Sequence, residues 1–315
     1  RTVKFNSLGE ITSMTVYYYD SAEGLALAGE AGANDAMKKS VVYSASSVDE
    51  TEFDADGNLI EGEDGLVDSE EDRTVVSATF YEGAVGEEKA DRTVKYNSDG
   101  EVVSMTVFLY EGDGELLLAA DATAEDAMRK SAVYSASSVD QTEFDEDGNL
   151  IEGEDGLVDD ESARTIISAT FYEGDAGEEK ADRTIKYNSK GDAVSMTVYF
   201  YEGVSGLVEA GEALAEDAMK KSVVYSADSV DESEFDEEGN LIEGEDGLVD
   251  DESSRRIISV TFYEGSVGEE KADRTVKYDS RGDAVNMTVY WYEGPDGLVG
   301  AEDATSEDAM RKSVV

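Results

Sequence analysis

The sequence predicts an all-β protein built from tandem repeats, and three observations carry that expectation. The segment Arg1-Thr2-Val3-Lys4-Phe5 recurs at Arg92, Arg183 and Arg274, so successive starts lie 91 residues apart (92 − 1, 183 − 92, 274 − 183) with no insertion or deletion. Between those starts apolar and polar residues alternate with period two, which places every second side chain on one face of a strand. Glycine, at 30 residues, follows short polar runs, whereas proline occurs once, at Pro295; such punctuation suits short strands and tight turns. The copies are 1–91, 92–182, 183–273 and a partial 274–315. A constant length lets each copy apply the same rotation and rise to the next, so the repeats are expected to stack into an elongated rod or fibre. Because Arg1 falls at a repeated position, the chain reads as a stretch of a longer array.

The elements follow in order through one copy. Arg92-Thr93-Val94 opens a strand, and Asn97-Ser98-Asp99-Gly100 turns it into a hairpin. From Val103 to Tyr110, Val103, Met105, Val107 and Leu109 share one face while Ser104, Thr106, Phe108 and Tyr110 share the other. Equivalent inward positions elsewhere read Met14, Val16, Tyr18; Met196, Val198, Phe200; and Met287, Val289, Trp291, a swap of side chains at preserved bulk that suits a core layer. The stretch from Gly112 to Lys130 contains Leu116, Leu117 and Leu118, then Ala124-Glu125-Asp126-Ala127-Met128-Arg129-Lys130, whose propensities allow one or two helical turns that would cover a sheet edge, with a mobile surface loop as the alternative. Lys130-Ser131-Ala132 and Arg164-Thr165-Ile166 open the remaining units. In the first copy Val76, Ala78 and Phe80 alternate with Ser77, Thr79 and Tyr81. Tight hairpins join antiparallel neighbours, since parallel strands need long crossovers, and ordinary strand lengths give about five or six strands per repeat. Met105, Val107, Leu109, Val76, Ala78 and Phe80 are the expected core.

Charge narrows the function. Acidic residues number 76 against 25 basic, a net charge of −51 with no histidine, so nucleic acids and anionic membranes are repelled and are excluded as partners. No apolar run approaches a membrane span. With 40% apolar and 9% aromatic residues the chain is too apolar for a disordered acidic tail. Absence of cysteine removes disulfides and thiolate metal sites. Histidine and cysteine mechanisms are therefore absent, and no Walker loop or dinucleotide fingerprint occurs. Carboxylate pairs recur in every copy, whereas acid–base catalysis needs one cleft whose environments drive two groups apart; the chain is expected not to be an enzyme.

Two kinds of binding residue stand out. Glu52, Asp54, Asp56 and Glu63 around Gly57 reproduce the oxygen spacing of a calcium loop. Glu143, Asp145, Asp147 and Glu154 match it, and Glu234, Asp236, Glu238 and Glu245 follow with a longer acid at the third position. Carboxylates about 4 Å apart repel by roughly 1 kcal/mol even in water, a physical reason to recruit calcium. The same residues also read as an acidic hairpin in which Asp, Gly and Asn supply turn geometry, and both readings stay open. Asn286-Met287-Thr288 is an N-glycosylation sequon. Tyr17, Tyr18 and Tyr19, and Tyr290, Trp291 and Tyr292, offer either aromatic faces for sugars or a sheet-surface ladder.

The strings Phe53-Asp54-Ala55-Asp56-Gly57-Asn58-Leu59 and Tyr96-Asn97-Ser98-Asp99-Gly100-Glu101-Val102 resemble the tyrosine-aspartate repeat of the Rhs and teneurin-like families, over the turns alone. That resemblance implies antiparallel hairpins coiling into a large sheet or shell. The longer pattern, Thr-Phe-Tyr-Glu-Gly followed by Gly-Glu-Glu-Lys-Ala-Asp-Arg-Thr, is similar to giant repeat-rich surface proteins of uncultured bacteria, which implies export or surface attachment. The function expected from sequence is a structural extracellular fibre, stalk or coat whose partners are neighbouring repeats, further copies of itself, and glycans. An adhesin or carbohydrate-binding array and an Rhs-like shell segment are the alternatives.

Overall fold

The structure is a computed structural model that describes residues 1–6, 9–22, 24–54, 57–112, 115–145, 148–151, 153–236, 239–242, 244–294, 297–305 and 308–315. Its contacts divide the chain into two compact units, 1–126 with 131–165, and 127–130 with 166–315. Strands dominate both: β1 (Thr2–Phe5), β2 (Ile11–Ser21), β3 (Gly24–Leu27), β4 (Met37–Ser44), β5 (Val75–Glu82), β6 (Lys89–Tyr96), β7 (Val102–Glu111), β8 (Leu116–Leu118) and β9 (Met128–Ser135). They are followed by β10 (Ile166–Glu173), β11 (Lys180–Tyr187), β12 (Ala193–Gly203), β13 (Gly206–Val208), β14 (Met219–Ser226), β15 (Ile257–Glu264), β16 (Lys271–Tyr278), β17 (Ala284–Gly294), β18 (Gly297–Val299) and β19 (Met310–Val314).

Pairing is antiparallel and follows chain order, as the hairpin signals predict. In the first unit β1 pairs β2, β2 pairs β4, and β4, β5, β6 and β7 pair in succession. The second unit repeats the scheme from β10 through β12, then from β12 through β14, β15, β16, β17 and β19. The short strands β3, β8, β13 and β18 each fold back on the end of the strand before them.

A second layer lies on one face of each unit's sheet. The described residues of 45–74, 136–165 and 227–256 form inserts of 3-10 turns and single β-bridges, such as Val139 with Leu157 and Phe144 with Leu150. Their apolar side chains meet the sheet. In the first unit Val139 and Leu157, with Phe144 and Leu150 packed beside them, cover Met105, Val107, Val94, Ala78 and Phe80. In the second, Leu248, Val230, Phe235 and Leu241 cover Met196, Val198, Ile185, Ala169 and Phe171. Each insert is closed by a fully buried serine: the Ser138 hydroxyl accepts the Thr165 N–H at 2.7 Å, and Ser229 accepts Arg256 N–H at the same distance.

Regular β-bulges correct the expected core. Between β6 and β7, Lys95 faces Ser104 but Tyr96 faces Val102, so Val103 is an extra residue. Between β4 and β5, Val42 faces Ser77 but Tyr43 faces Val75, which makes Val76 the extra one. A bulge advances the alternation by one residue. Val102 and Val75 therefore pack against the core, while Val103 and Val76, expected inside, are 50% and 43% exposed. Tyr110, expected on the outer face, is buried and donates its hydroxyl to the Ala90 carbonyl at 2.6 Å. Met105, Val107, Ala78 and Phe80 are buried as expected, and Leu109 packs against them.

The helix expected over Ala124–Lys130 is a second correction. Met128, Arg129 and Lys130 belong to β9, where β-sheet pairing outcompetes a weak local propensity. In later copies the described residues of the corresponding stretch include a 3-10 turn, at Ala210–Glu212 and at Ala301–Asp303.

Candidate functional site at the repeat junctions

Each sequence repeat ends inside a strand. Residue 92 lies in β6, 183 in β11 and 274 in β16, and each of these strands is hydrogen-bonded to a neighbour on both sides. Successive copies therefore share one ladder within a unit, and the insert lies across the join. The Phe144 ring of one copy stands 6.1 Å from Phe80 of the copy before it, and Phe235 stands 6.2 Å from Phe171.

The join is fastened by a lysine that sequence reasoning missed. In the first unit the Lys39 ammonium donates to Asn149 Oδ1 at 2.6 Å and to the Gly148 carbonyl at 3.1 Å, 110 and 109 residues away. In the second unit Lys130 donates to Asn240 Oδ1 at 2.6 Å and to the Gly239 carbonyl at 3.2 Å. Both lysines are more than nine-tenths buried and lie over a phenylalanine, Lys39 over Phe80 at 5.6 Å and Lys130 over Phe171 at 5.7 Å. A buried ammonium is tolerated only where its protons are accepted, and a turn carbonyl, an amide oxygen and an aromatic face supply that here. The available signal was an asparagine after the glycine in every turn, at Asn58, Asn149 and Asn240, matched by a lysine at 39, 130 and 221.

An arginine adds a second anchor beneath two of the inserts. Arg92, itself buried, donates to the Asp155 carbonyl and to the carboxylate of Asp91, which is the bulge residue between β5 and β6. Arg183 does the same with the Asp246 carbonyl and Asp182. Inside the insert, the Arg164 guanidinium meets Asp155 Oδ2 at 3.1 Å and donates through Nε to the Val158 carbonyl at 2.8 Å.

Six of the twelve acidic residues singled out as calcium ligands hold this scaffold through their carboxylates. The Glu52 carboxylate accepts the Gly65 N–H at 2.5 Å, Glu143 accepts that of Gly156 at 2.6 Å, and Glu234 that of Gly247 at 2.6 Å. Loss of hydration, partly offset by that N–H, pushes all three carboxyls above the usual range, and the neighbouring acids push the same way. Asp54, Asp145 and Asp236 accept the N–H of Asn58, Asn149 and Asn240 at 2.8, 2.7 and 2.6 Å, so each closes its own hairpin turn. Glu63, Glu154 and Glu245 stand at the next turn, their N–H groups donating to the carbonyls of Ile60, Ile151 and Ile242. Asp56, Asp147 and Glu238 lie outside the described residues. Among the described residues no three acids are grouped as a metal would need. Asn286 is exposed on β17, opposite Lys277. Among the described residues no helix is long and apolar enough to cross a membrane.

No family model matches the chain, and no curated protein matches it. Among solved structures it is similar to a crystal structure of TcdB2-TccC3-Cdc42, at 9% identity and a TM-score of 0.23, over 93% of this chain and 13% of that one. A crystal structure of TcdB2-TccC3 aligns at 13% identity and a TM-score of 0.10, over 97% of this chain and 18% of that one. The chain thus spans less than a fifth of either protein.

Proposed function

We propose that this chain is a wall segment of a large exported structural protein, its repeats extending a two-layered β-ribbon around an enclosed space. The observation that carries the reading is the mid-strand join: a strand shared by two copies, covered by an insert and fastened by a buried lysine, transmits load from copy to copy as beads on linkers would not. The bulges in successive strand pairs favour a wall over a straight rod, because each one bends its strand and increases local twist. The uniform 91-residue period is part of the proposal, since a closed or helical course needs equal steps. A free extracellular fibre is the second reading, favoured by the same equal steps without closure. A non-catalytic role belongs to the proposal as well: the acids recur in every copy as turn and backbone partners.

The test is a series of chains carrying three, four and six repeats. Shared ladders make the thermal midpoint rise with repeat number before levelling; a midpoint independent of length would show independent beads and sink the reading. Electron microscopy of the longest member separates closed particles, expected for a wall, from open filaments, expected for a fibre. Calcium at the acidic turns is a further proposal, and its measure is the same midpoint with calcium and after chelation. A rise on calcium addition supports it, and an unchanged midpoint removes it.

A further inference from the structure

The contact that fastens each join sets a nucleophile against an electrophile. In the first unit Lys39 Nζ meets Asn149 Oδ1 at 2.6 Å, and in the second Lys130 Nζ meets Asn240 Oδ1 at 2.6 Å. An amide C=O bond is about 1.23 Å long, so Nζ stands no further than about 3.8 Å from the side-chain carbon Cγ. A reactive approach is roughly 3–3.5 Å, which a small side-chain movement reaches.

The nitrogen of each amide is held as well. Asn149 Nδ2 donates to Asp145 Oδ2 at 2.9 Å, and Asn240 Nδ2 donates to Asp236 Oδ2 at 3.0 Å. Each amide therefore points its oxygen at a lysine and its nitrogen, the leaving group of an acyl transfer, at a carboxylate.

The surroundings favour attack. Both lysines are more than nine-tenths buried, and each lies over a phenylalanine ring, Phe80 or Phe171. Removal from water favours the uncharged amine, which is the form that acts as a nucleophile.

We infer that Lys39 joins Asn149, and Lys130 joins Asn240, through an isopeptide bond that forms once the chain has folded. Nζ first yields one proton to water. Its electron pair then makes the Nζ–Cγ bond while the carbonyl π pair moves onto Oδ1. Both nitrogens now share one carbon, so the carboxylate that holds Nδ2 also reaches Nζ; it takes a second proton from Nζ and hands it to Nδ2. The Cγ–Nδ2 bond breaks, its electron pair leaves with the nitrogen as ammonia, and the Oδ1 pair restores the carbonyl. No oxidant or reductant takes part.

The two bonds overlap along the chain, 39 to 149 and 130 to 240, and tie the first copy to the second and the second to the third. A chain without cysteine gains covalent ties between copies in this way, and closing long loops restricts the unfolded chain as a disulfide does. A wall and a fibre would both carry them, so the inference stands apart from that choice.

Intact-mass spectrometry of the folded 315-residue chain is the test. The expected mass lies below that of the sequence by two molecules of ammonia, and tryptic digestion yields branched peptides joining Lys39 to Asn149 and Lys130 to Asn240. Lys39→Arg with Lys130→Arg keeps the charges, removes the nucleophile and is expected at its full sequence mass. Asp145→Asn with Asp236→Asn keeps an oxygen for the turn N–H groups and is expected to be linked at least about tenfold less. A folded parent chain at full sequence mass would overturn the proposal. So would loss of ammonia without branched peptides, the mark of cyclisation at asparagine alone, or the same loss in the arginine variant. Full linkage in the Asp→Asn variant would overturn the proton relay.

Discussion

Strands β7 and β17 carry nearly the same sequence, VVSMTVFLYE and AVNMTVYWYEG, and the same pairing with the strand before them, yet their cores differ. Met105 on β7 is fully buried, whereas Met287 at the same place on β17 is 48% exposed. The difference is the insert. Val139, Leu157, Phe144 and Leu150 lie over β7, and among the described residues Met287 has no such cover. An amphipathic strand thus offers a face, but the following insert decides whether that face is a core. The turns show the same dependence: Asn149 and Asn240, each clasped by a lysine from the preceding copy, are half-buried, while Asn58 is exposed.

The sharpest way to break this comparison is to truncate the two methionines. Met105→Ala is expected to cost about 2–5 kcal/mol, the usual range for emptying a packed site, and Met287→Ala within about 0.5 kcal/mol, as for an exposed side chain. Because long repeat arrays need not unfold in two states, hydrogen-exchange protection of β7 and β17 is the measurement of choice. Equal losses would mean that the insert does not make the core.

The clasp should rank next. Lys130→Met leaves Asn240 Oδ1 and the Gly239 carbonyl without their donor and is expected to cost about 1–3 kcal/mol. Lys221, which lies over Phe200 at 5.0 Å, should cost no more than about 0.5–1 kcal/mol on the same change. Indistinguishable melting of the two variants would remove the clasp from the account.

Acid should produce the smallest effect, with two limbs of opposite sign. Glu143 and Glu234 have carboxyls raised above their ordinary value of 4.5 by lost hydration, so ionising them costs stability at neutral pH, and that cost disappears as pH falls through the glutamate range. Asp140 and Asp231 are held below their ordinary 3.8 by the hydroxyl and N–H of Thr142 and Ser233. Their contribution is present above that value and is lost as pH falls through the depressed one. The melting midpoint should therefore rise on mild acidification and then fall. Glu143→Gln with Glu234→Gln should flatten the rising limb; a steady decline from neutral pH in the parent chain would contradict the assignment.

Sequence alone determined the periodic part of this protein. Alternation from Met105 to Leu109, the Asp-x-x-Gly-Asn turns and the near absence of proline specify antiparallel hairpins because each is a property of a few adjacent residues. Tertiary structure alone decided the rest. Val103 or Val102 faces inward according to a register set by the partner strand β6, and Glu52 and Asp54 accept the N–H groups of Gly65 and Asn58 only once the insert is folded. Lys39 found Asn149 across 110 residues. Bulge phase and long-range clasps leave no local pattern, since their energy exists only after distant segments have been brought together, and that is why the joins between copies were legible only in the fold.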